Sequence, residues 1–272
     1  MRVVLISEVA PAVEGLAALL RAEGHEPVAL LCVRHNADRY TEMNDLIRAA
    51  PSDVDVVIPA SRGRIAPLLR QFEPDLALCI GFPWKIPPDA LATPRYGIVN
   101  GHPSLLPRYR GPSPVSWAIR QGDSEIGFTF HYMDAELDTG NILAQERIPL
   151  GDEHGWEELT PKLAAAVGNI LPGVLKRVAS GDAGDPQDES VASYFGLFEA
   201  EYAWIDWSQT VDEVERQVRA WRIHSGVPGD RGALAEIDGD TVRVLRVSRQ
   251  PADGPALTCA DGTLWIVESE AA

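Results

Sequence analysis

The chain has 272 residues, of which 45% are hydrophobic and 24% charged, and its formal net charge is −16. This composition is ordinary for a soluble globular protein with one large and one small domain. No apolar run approaches the roughly 20 residues of a membrane-spanning helix, and an acidic chain repels polyanions over long range. The N-terminal "MRVVLIS" enters a strand pattern directly, so we expect no signal peptide and a cytoplasmic location.

The first hundred residues alternate between short apolar runs and helix-like segments. The first helix pattern has Leu16 and Leu20 on one face and ends at Gly24. The apolar runs are rich in Val, Ile and Leu, as strands buried on both faces tend to be. They are Arg2–Ser7, Val28–Val33, Val54–Pro59, Leu76–Phe82 and Tyr96–Asn100. Strands that alternate with helices predict a doubly wound, mainly parallel α/β sheet.

The loop after the first strand argues against two common cofactors. Its sequence, "SEVAPAVEG", lacks the clustered glycines of a dinucleotide site. The chain also has no Walker-type phosphate loop. We therefore expect neither NAD nor ATP.

The second half begins with two strand patterns, "GFTFHYM" and "NILAQERIPL", on either side of Met133–Gly140. A long helix pattern over Trp156–Ser180 follows, and then a polar connector. From Ile205 onwards, a capping-box helix start and four short strand patterns predict a small β barrel or curled sheet. The expected organisation is a catalytic domain at 1–180, a linker at 181–204 and a small β-rich domain at 205–272.

Polar side chains lie at the carboxyl edge of the fifth predicted strand, where doubly wound sheets bind ligands. Asn100 and His102 leave the carboxyl edge of that strand, and Asp138 lies in the loop between the next two strand patterns. An imidazole can exchange a proton, a nearby carboxylate orients it and raises its pKa, and an amide can donate to a developing oxyanion. Together these groups suit acyl transfer to an amine. Singly, each has an ordinary explanation as a loop or turn residue.

Four motifs carry a resemblance to a known family. They are "NGHPSLLPRYRG" (100–111), "MDAELDTG" (133–140), "PQDESVASY" (186–194) and "IDWS" (205–208). In combination they closely resemble the 10-formyltetrahydrofolate-dependent formyltransferases. This family includes methionyl-tRNA formyltransferase, glycinamide ribonucleotide formyltransferase and the sugar and amino-acid N-formyltransferases. The resemblance covers most of the chain and is weakest at residues 34–72 and after Trp221.

The resemblance implies roles for the three polar residues. Asn100 and His102 would bind and polarise the formyl oxygen. Asp138 would pair with His102 and assist proton removal from the attacking amine. Whether His102 or a water molecule takes that proton stays open at this point.

The resemblance also implies where 10-formyltetrahydrofolate binds, largely through backbone groups of two loops. The expected residues are Gly81, Phe82, Pro83, Trp84, Lys85, Ile86, Asp134, Ala135, Glu136, Leu137 and Gly140. Phe82 and Trp84 have the alternative of packing as ordinary loop aromatics. Arg108 and Arg110 match the family pattern and are candidates either for acceptor contact or for surface ion pairs. The other histidines (His25, His35, His131, His154 and His224) have no metal-like grouping, so no role and no metal are assigned.

The charge distribution bears on the acceptor. The stretch Arg34–Ser52 has three arginines against three acidic residues, and residues 205–272 have seven arginines and no lysine against twelve acidic residues. Because tRNA binding needs a cationic surface, we expect a small-molecule amine acceptor and keep methionyl-tRNA as the alternative. Hydrolysis of 10-formyltetrahydrofolate and a non-catalytic folate-fold protein are less favoured. The oligomeric state stays open.

Overall fold

A computed structural model describes residues 1–33, 40–152, 155–224 and 232–272, with only the backbone given for 40–42. The strands are β1 (Arg2–Ser7), β2 (Glu26–Leu31), β3 (Asp55–Val57), β4 (Leu76–Ile80), β5 (Ile98–His102), β6 (Glu125–Tyr132), β7 (Ile142–Pro149), β8 (Ala233–Ile237), β9 (Asp240–Ser248), β10 (Ala256–Thr258) and β11 (Thr263–Ala271). The α-helices are α1 (Ala10–Ala22), α2 (Tyr40–Ala49), α3 (Ile65–Gln71), α4 (Pro88–Leu91), α5 (Pro114–Gln121), α6 (Trp156–Ala179) and α7 (Val211–Ile223). Within these ranges no helix is both long and apolar enough to cross a membrane.

The larger sheet has the order β3-β2-β1-β4-β5-β6-β7. Its first five strands run parallel, as the alternation of strands and helices predicts, and β6 runs antiparallel to β5. The strand order reverses between β1 and β4, and a crevice at such a switch point is where doubly wound sheets hold their ligands. The loop after β4 contains Gly81, where an added Cβ would lie 2.7 Å from Cγ2 of Val9, which follows β1. The predicted folate loop "GFPWKIP" thus begins at the switch point.

Two compact units make up the chain. The first consists of Met1–Arg110, Gly127–Arg147 and Leu163–Ala192, and the second of Gly111–Ile126, Ile148–Lys162 and Ser193–Ala272. In the second unit, the strands β10-β11-β9-β8 form an antiparallel sheet. Its helix α7 starts at the predicted capping box, because Thr210 and Glu213 exchange hydrogen bonds between side chain and backbone. The division into domains at 1–180, 181–204 and 205–272 stays a prediction.

Strand β5 carries both predicted active-site residues at its carboxyl end. The predicted strand ends at Asn100, whereas β5 continues through His102, so both residues lie within the strand. Because side chains alternate along a strand, these two residues share one face. Gly101 lies between them on the other face, where an added Cβ would come within 2.9 Å of Phe128 and Ile80. The asparagine–glycine–histidine order therefore permits tight packing on one face and polar chemistry on the other.

We predict that Gly101→Ala lowers the free energy of unfolding by about 1–3 kcal/mol, as overpacking of a filled core does. Gly15→Ala is the matched control, because Gly15 lies in α1 with no atom within 4 Å of an added Cβ. That control is expected to be neutral or to stabilise by up to about 1 kcal/mol, since alanine favours a helix. Urea denaturation measures both. Equal stability of the two variants would contradict the packing of β5.

Candidate active site

Asn100, His102 and Asp138 come together around one carboxylate oxygen. Oδ1 of Asp138 lies 3.5 Å from Nδ2 of Asn100 and 3.7 Å from Nδ1 of His102. The Asp138 side chain is only 12% exposed and the His102 side chain 6%. A carboxylate this deeply placed needs a donor close by, and Asn100 on the polar face of β5 supplies one.

A fourth residue, His131, belongs to the same cluster, although no role is assigned to it from the sequence. Its Nε2 lies 3.6 Å from Oδ1 of Asp138 and 3.2 Å from Nδ2 of Asn100, and its side chain is 1% exposed. The cause is register, because β6 pairs His131 directly with Asn100 of β5. The sequence does contain a signal: Thr129 and His131 alternate with two phenylalanines, as on a strand with one polar face.

Hydrogen bonding fixes which nitrogen of His102 carries a proton. Its Nε2 lies 2.9 Å from the backbone oxygen of Tyr109. A carbonyl oxygen only accepts, so Nε2 is protonated and donates to it. The nitrogen that faces Asp138 is therefore Nδ1, and in the neutral ring it carries a lone pair. Proton exchange at His102 takes place at the atom beside the carboxylate.

The same reasoning orients His131 and Asn100. Nδ1 of His131 lies 2.8 Å from the backbone oxygen of Tyr132, so it donates there and Nε2 accepts in the neutral ring. The group that meets this acceptor is the amide nitrogen of Asn100, whose second N–H points to Asp138. The opposite orientation would place the Asn100 amide oxygen against the lone pair on Nε2 of His131 and against the Asp138 carboxylate. His131 thereby aims the Asn100 amide.

Burial sets the protonation state of His102. It holds the pKa of the imidazole below its ordinary value of 6.5, against the opposing effects of Asp138 and of the Tyr109 carbonyl. The ring is consequently neutral near pH 7 and available to accept a proton. Loss of the Asp138 charge would lower this pKa further.

The loop that carries Asp138 is held from within. Oδ1 of Asp134 accepts hydrogen bonds from the Glu136 amide at 3.1 Å and the Thr139 hydroxyl at 2.6 Å. A Cβ at Gly140 would lie 1.9 Å from the backbone oxygen of Tyr132, so only glycine fits there. Asp134 and Gly140, both predicted to contact folate, thus also shape the loop.

The loop after β5 is held in a similar way. The Ser104 hydroxyl donates to the Arg108 carbonyl at 2.8 Å, and the Thr129 hydroxyl of β6 donates to the Ser104 carbonyl at 2.7 Å. Tyr109 adopts a φ of 59°, a region that non-glycine residues rarely occupy, and its carbonyl receives His102. The "SLLPRY" segment therefore serves to hold the imidazole.

The two predicted folate loops lie next to each other. Nζ of Lys85 is 3.6 Å from Oε2 of Glu136, an exposed pair of small energetic value. Phe82 and Trp84 meet edge to face at 6.1 Å and pack partly against the core, while Ile86 is itself buried. Their side chains are thus partly structural, as the alternative interpretation allowed. Of the other predicted positions, Leu137 is exposed and Pro83 and Ala135 belong to the same two loops. Contact of these residues with folate stays a prediction.

The two candidate acceptor arginines differ in environment. Arg108 is exposed, and its guanidinium lies over the Tyr109 ring at 4.9 Å. Arg110 is only 8% exposed and bonds to the side chains of Gln187 and Glu189. A role in acceptor contact stays a prediction for both.

Comparison with known proteins decides the family. Residues 1–175 match the family described as "Formyl transferase". The chain belongs to this family. It is 33% identical over 213 residues to a methionyl-tRNA formyltransferase of Citrifermentans bemidjiense, a match that covers 74% of this chain and 65% of the relative. The chain thus spans slightly less than two thirds of the length of this curated relative.

Solved structures show the same fold. HypX from Aquifex aeolicus, in complex with tetrahydrofolic acid, superposes with a TM-score of 0.74 at 19% identity over 100% of this chain and 44% of HypX. WlaRD, a sugar 3N-formyl transferase solved in the presence of dTDP and 5-N-formyl-THF, superposes with a TM-score of 0.69 at 16% identity over 99% and 97% of the two chains. The prediction of a doubly wound sheet followed by a small curled sheet is confirmed. Identities this low establish the fold alone.

Burial disfavours the thiolate form of two cysteines in this formyl transferase family member. Burial raises the pKa of both Cys32 and Cys79 to about 12, so neither forms a thiolate near pH 7. Cys79 pairs with Asn100 in the sheet and is thus near the site. Among the residues that the structure describes, no group of three or more His, Cys, Asp and Glu side chains is arranged to hold a metal ion. Of the histidines without an assigned role, His35 and His154 lie outside those residues.

Nitrogen NMR tests which ring nitrogen of His102 and of His131 carries the proton, and whether Asp138 raises the pKa of His102. We predict protonation at Nε2 in neutral His102 and at Nδ1 in neutral His131, because each of these atoms faces a carbonyl. Asp138→Asn is expected to move the His102 titration to still lower pH, since the carboxylate raises that pKa. His102→Gln and His131→Gln assign the signals. Reversed tautomers, or a titration that rises in Asp138→Asn, would contradict the geometry.

Proposed function

We propose that this protein transfers a formyl group from 10-formyltetrahydrofolate to the primary amine of a small-molecule acceptor. The observation that carries the proposal is the convergence of Asn100, His102 and His131 on Oδ1 of Asp138, in a chain of the formyl transferase family. The folate supplies the formyl group when it is bound, and the folate nitrogen whose bond to that group breaks would take up the proton that the amine releases. The chain's own residues supply the proton chemistry and the hydrogen bonds described below.

Proton removal from the amine is assigned to Nδ1 of His102. This atom is unprotonated in the neutral ring, because Nε2 donates to the Tyr109 carbonyl. The Asp138 oxygen at 3.7 Å stabilises the imidazolium that results. A lowered pKa favours the free base at neutral pH, and the carboxylate keeps it from falling so far that the ring becomes a weak base. His102, rather than a water molecule, is therefore the proposed proton acceptor.

Asn100 is assigned the hydrogen bond to the formyl oxygen. Its bond to His131 is 3.2 Å, whereas its bond to Asp138 is 3.5 Å and at the limit of a hydrogen bond. The incoming oxygen would take over the N–H that makes the longer bond. His131 would keep the amide in place during that exchange. A pre-oriented donor of this kind typically contributes about 10²–10³-fold to a rate.

The folate is assigned to the crevice between the loop after β4 and the loop that carries Asp138. The loop after β4 leaves the carboxyl ends of the parallel strands, which is the expected ligand edge. The Asp138 loop follows β6, which runs antiparallel to β5, and its Glu136 lies 3.6 Å from Lys85 of the first loop. Gly81 has a φ of 63°, and Gly140 lies against the backbone carbonyl of Tyr132, so glycine is needed for the conformation of both loops. Recognition of the pterin is assigned to backbone groups of these two loops.

Charge in the second compact unit supports a small acceptor. Residues 205–272 contain seven arginines against twelve acidic residues. Several arginines of this unit are also engaged with acidic neighbours. Nη1 of Arg222 lies 2.7 Å from Glu268, Nη2 of Arg249 lies 2.5 Å from Asp212, and Nη1 of Arg120 lies 2.7 Å from Glu199. A phosphate backbone would have to compete with these carboxylates.

Methionyl-tRNA is the second candidate acceptor, and the observation in its favour is the 33% identity to a methionyl-tRNA formyltransferase. Two of the three arginines in the Arg34–Ser52 segment, Arg34 and Arg39, lie outside the described part of the chain. The structure therefore does not show whether this segment offers a cationic surface to tRNA. The choice therefore depends on direct comparison of acceptors.

A formylation assay makes that comparison. We predict turnover of 10-formyltetrahydrofolate with nucleotide-linked amino sugars or free amino acids, and little with methionyl-tRNA. Efficient formylation of methionyl-tRNA that falls steeply with salt, with no turnover of the small amines, would contradict the proposed acceptor. Folate turnover without any amine would instead indicate a hydrolase.

Two variants connect the assay to the site. His102→Gln is expected to lower kcat by about 10²–10⁴-fold, because a positioned base contributes that much. His25→Gln is the matched control. His25 precedes β2, at the amino ends of the parallel strands and away from the site, and it bonds to the N-terminus. A near-normal rate for His102→Gln would exclude His102 as the base.

A further inference from the structure

Asp138 has a backbone conformation that needs support. Its φ is 59°, in the left-handed region that residues with a Cβ rarely adopt. Such a conformation persists only where surrounding contacts hold it. A relaxed backbone at Asp138 would also turn its carboxylate away from His102. The contacts that hold the Asp138 backbone in this conformation therefore also position its carboxylate.

The side chain of Gln187 contacts this backbone directly. Its Nε2 donates to the carbonyl of Asp138 at 2.8 Å and to the carbonyl of Gly140 at 2.8 Å. Both N–H groups of the carboxamide are thus used on the two sides of Thr139. A single side chain from a distant part of the sequence fixes the segment that presents the carboxylate.

Arg110 fixes the carboxamide in turn. Its Nε and Nη2 donate to Oε1 of Gln187 at 3.2 and 2.8 Å. Its Nη1 and Nη2 also donate to the two carboxylate oxygens of Glu189 at 3.0 and 2.6 Å. A guanidinium on one side and two carbonyls on the other leave only one orientation for the amide.

The chain around Gln187 is anchored as well. Asp185 and Ile142 exchange two backbone hydrogen bonds of 2.8 Å, which attaches the connector to the start of β7. The hydroxyl of Tyr132 donates to the carbonyl of Asp182 at 2.9 Å. Gln187 consequently approaches the Asp138 loop from a segment that is itself tied to β6 and β7.

We propose that Gln187 is a positioning residue of the active site, which holds the Asp138–Gly140 segment so that the carboxylate faces His102. Arg110 acts through Gln187 by orienting its carboxamide. This assignment rests on the function proposed above. It also gives Arg110 a role inside the chain, in place of direct contact with the acceptor.

Gln187→Leu tests the proposal, because leucine has a similar size and no hydrogen-bonding group. The expected result is a fall in kcat of about 10²-fold, as a misplaced catalytic group produces, with little change in KM for 10-formyltetrahydrofolate. The His102 titration followed by NMR should move to lower pH, toward its position in Asp138→Asn. In the Asp138→Asn background, Gln187→Leu should cause little further loss, because both changes remove the same contact.

Gln217→Leu is the matched control. Gln217 also donates through Nε2 to two backbone carbonyls, those of Tyr202 and Trp204, but in the second compact unit. The control should lose stability without lowering kcat or moving the His102 titration. The proposal is wrong if Gln187→Leu leaves both readouts at the wild-type level, or if Gln217→Leu changes both equally.

Gln187→Glu provides a second variant in case the leucine variant does not fold. It keeps an acceptor for Arg110 but turns a carboxylate oxygen toward the two carbonyls, so the same changes in kcat and titration are expected. If no amine supports turnover, the proposed function fails, and the His102 titration still decides whether Gln187 positions Asp138.

Discussion

A largely buried carboxylate must meet donors or positive charge, because its solvation by water is lost. Asp138 meets this requirement with the Asn100 amide and with the imidazolium that His102 becomes when it accepts a proton, and His131 also lies within 3.7 Å of its Oδ1. The remaining features of the site follow from placing these three side chains. Strand β5 offers two of them on one face, β6 offers the third in register, and backbone carbonyls set the tautomer of each imidazole.

The site therefore depends on sheet geometry more than on any single loop. Gly101 allows β5 to pack closely against Phe128, and the same pleat turns Asn100 and His102 to the opposite face. The loops add restraint. Tyr109 and Asp138 both have a φ of 59°, and each contributes an atom to the environment of His102. Strained backbone at a functional site is expected where pre-organisation matters.

Much of this arrangement could be predicted from local sequence. The Val/Ile/Leu runs indicate the parallel strands, and the spacing of Asn100, His102 and Asp138 indicates the family. His131 escaped prediction because its role depends on the pairing of β5 with β6, which no local pattern contains. Gln187 escaped for a related reason, since its two hydrogen bonds join positions 47 and 49 residues apart. The end of β5 was misplaced because polar residues normally signal the end of a strand, whereas here they form its functional face.

The Asn100 amide is proposed to bind the formyl oxygen, and the His102 imidazole is proposed to lie beside the formyl group and take the proton of the attacking amine. NMR of the side-chain amide of Asn100 and of the ring nitrogens of His102, during titration with 5-formyltetrahydrofolate, tests this placement most directly. We expect large shifts of both signals as the ligand saturates the protein, with the Asn100 amide losing its contact with Asp138. Saturable binding that leaves both signals unmoved would contradict it.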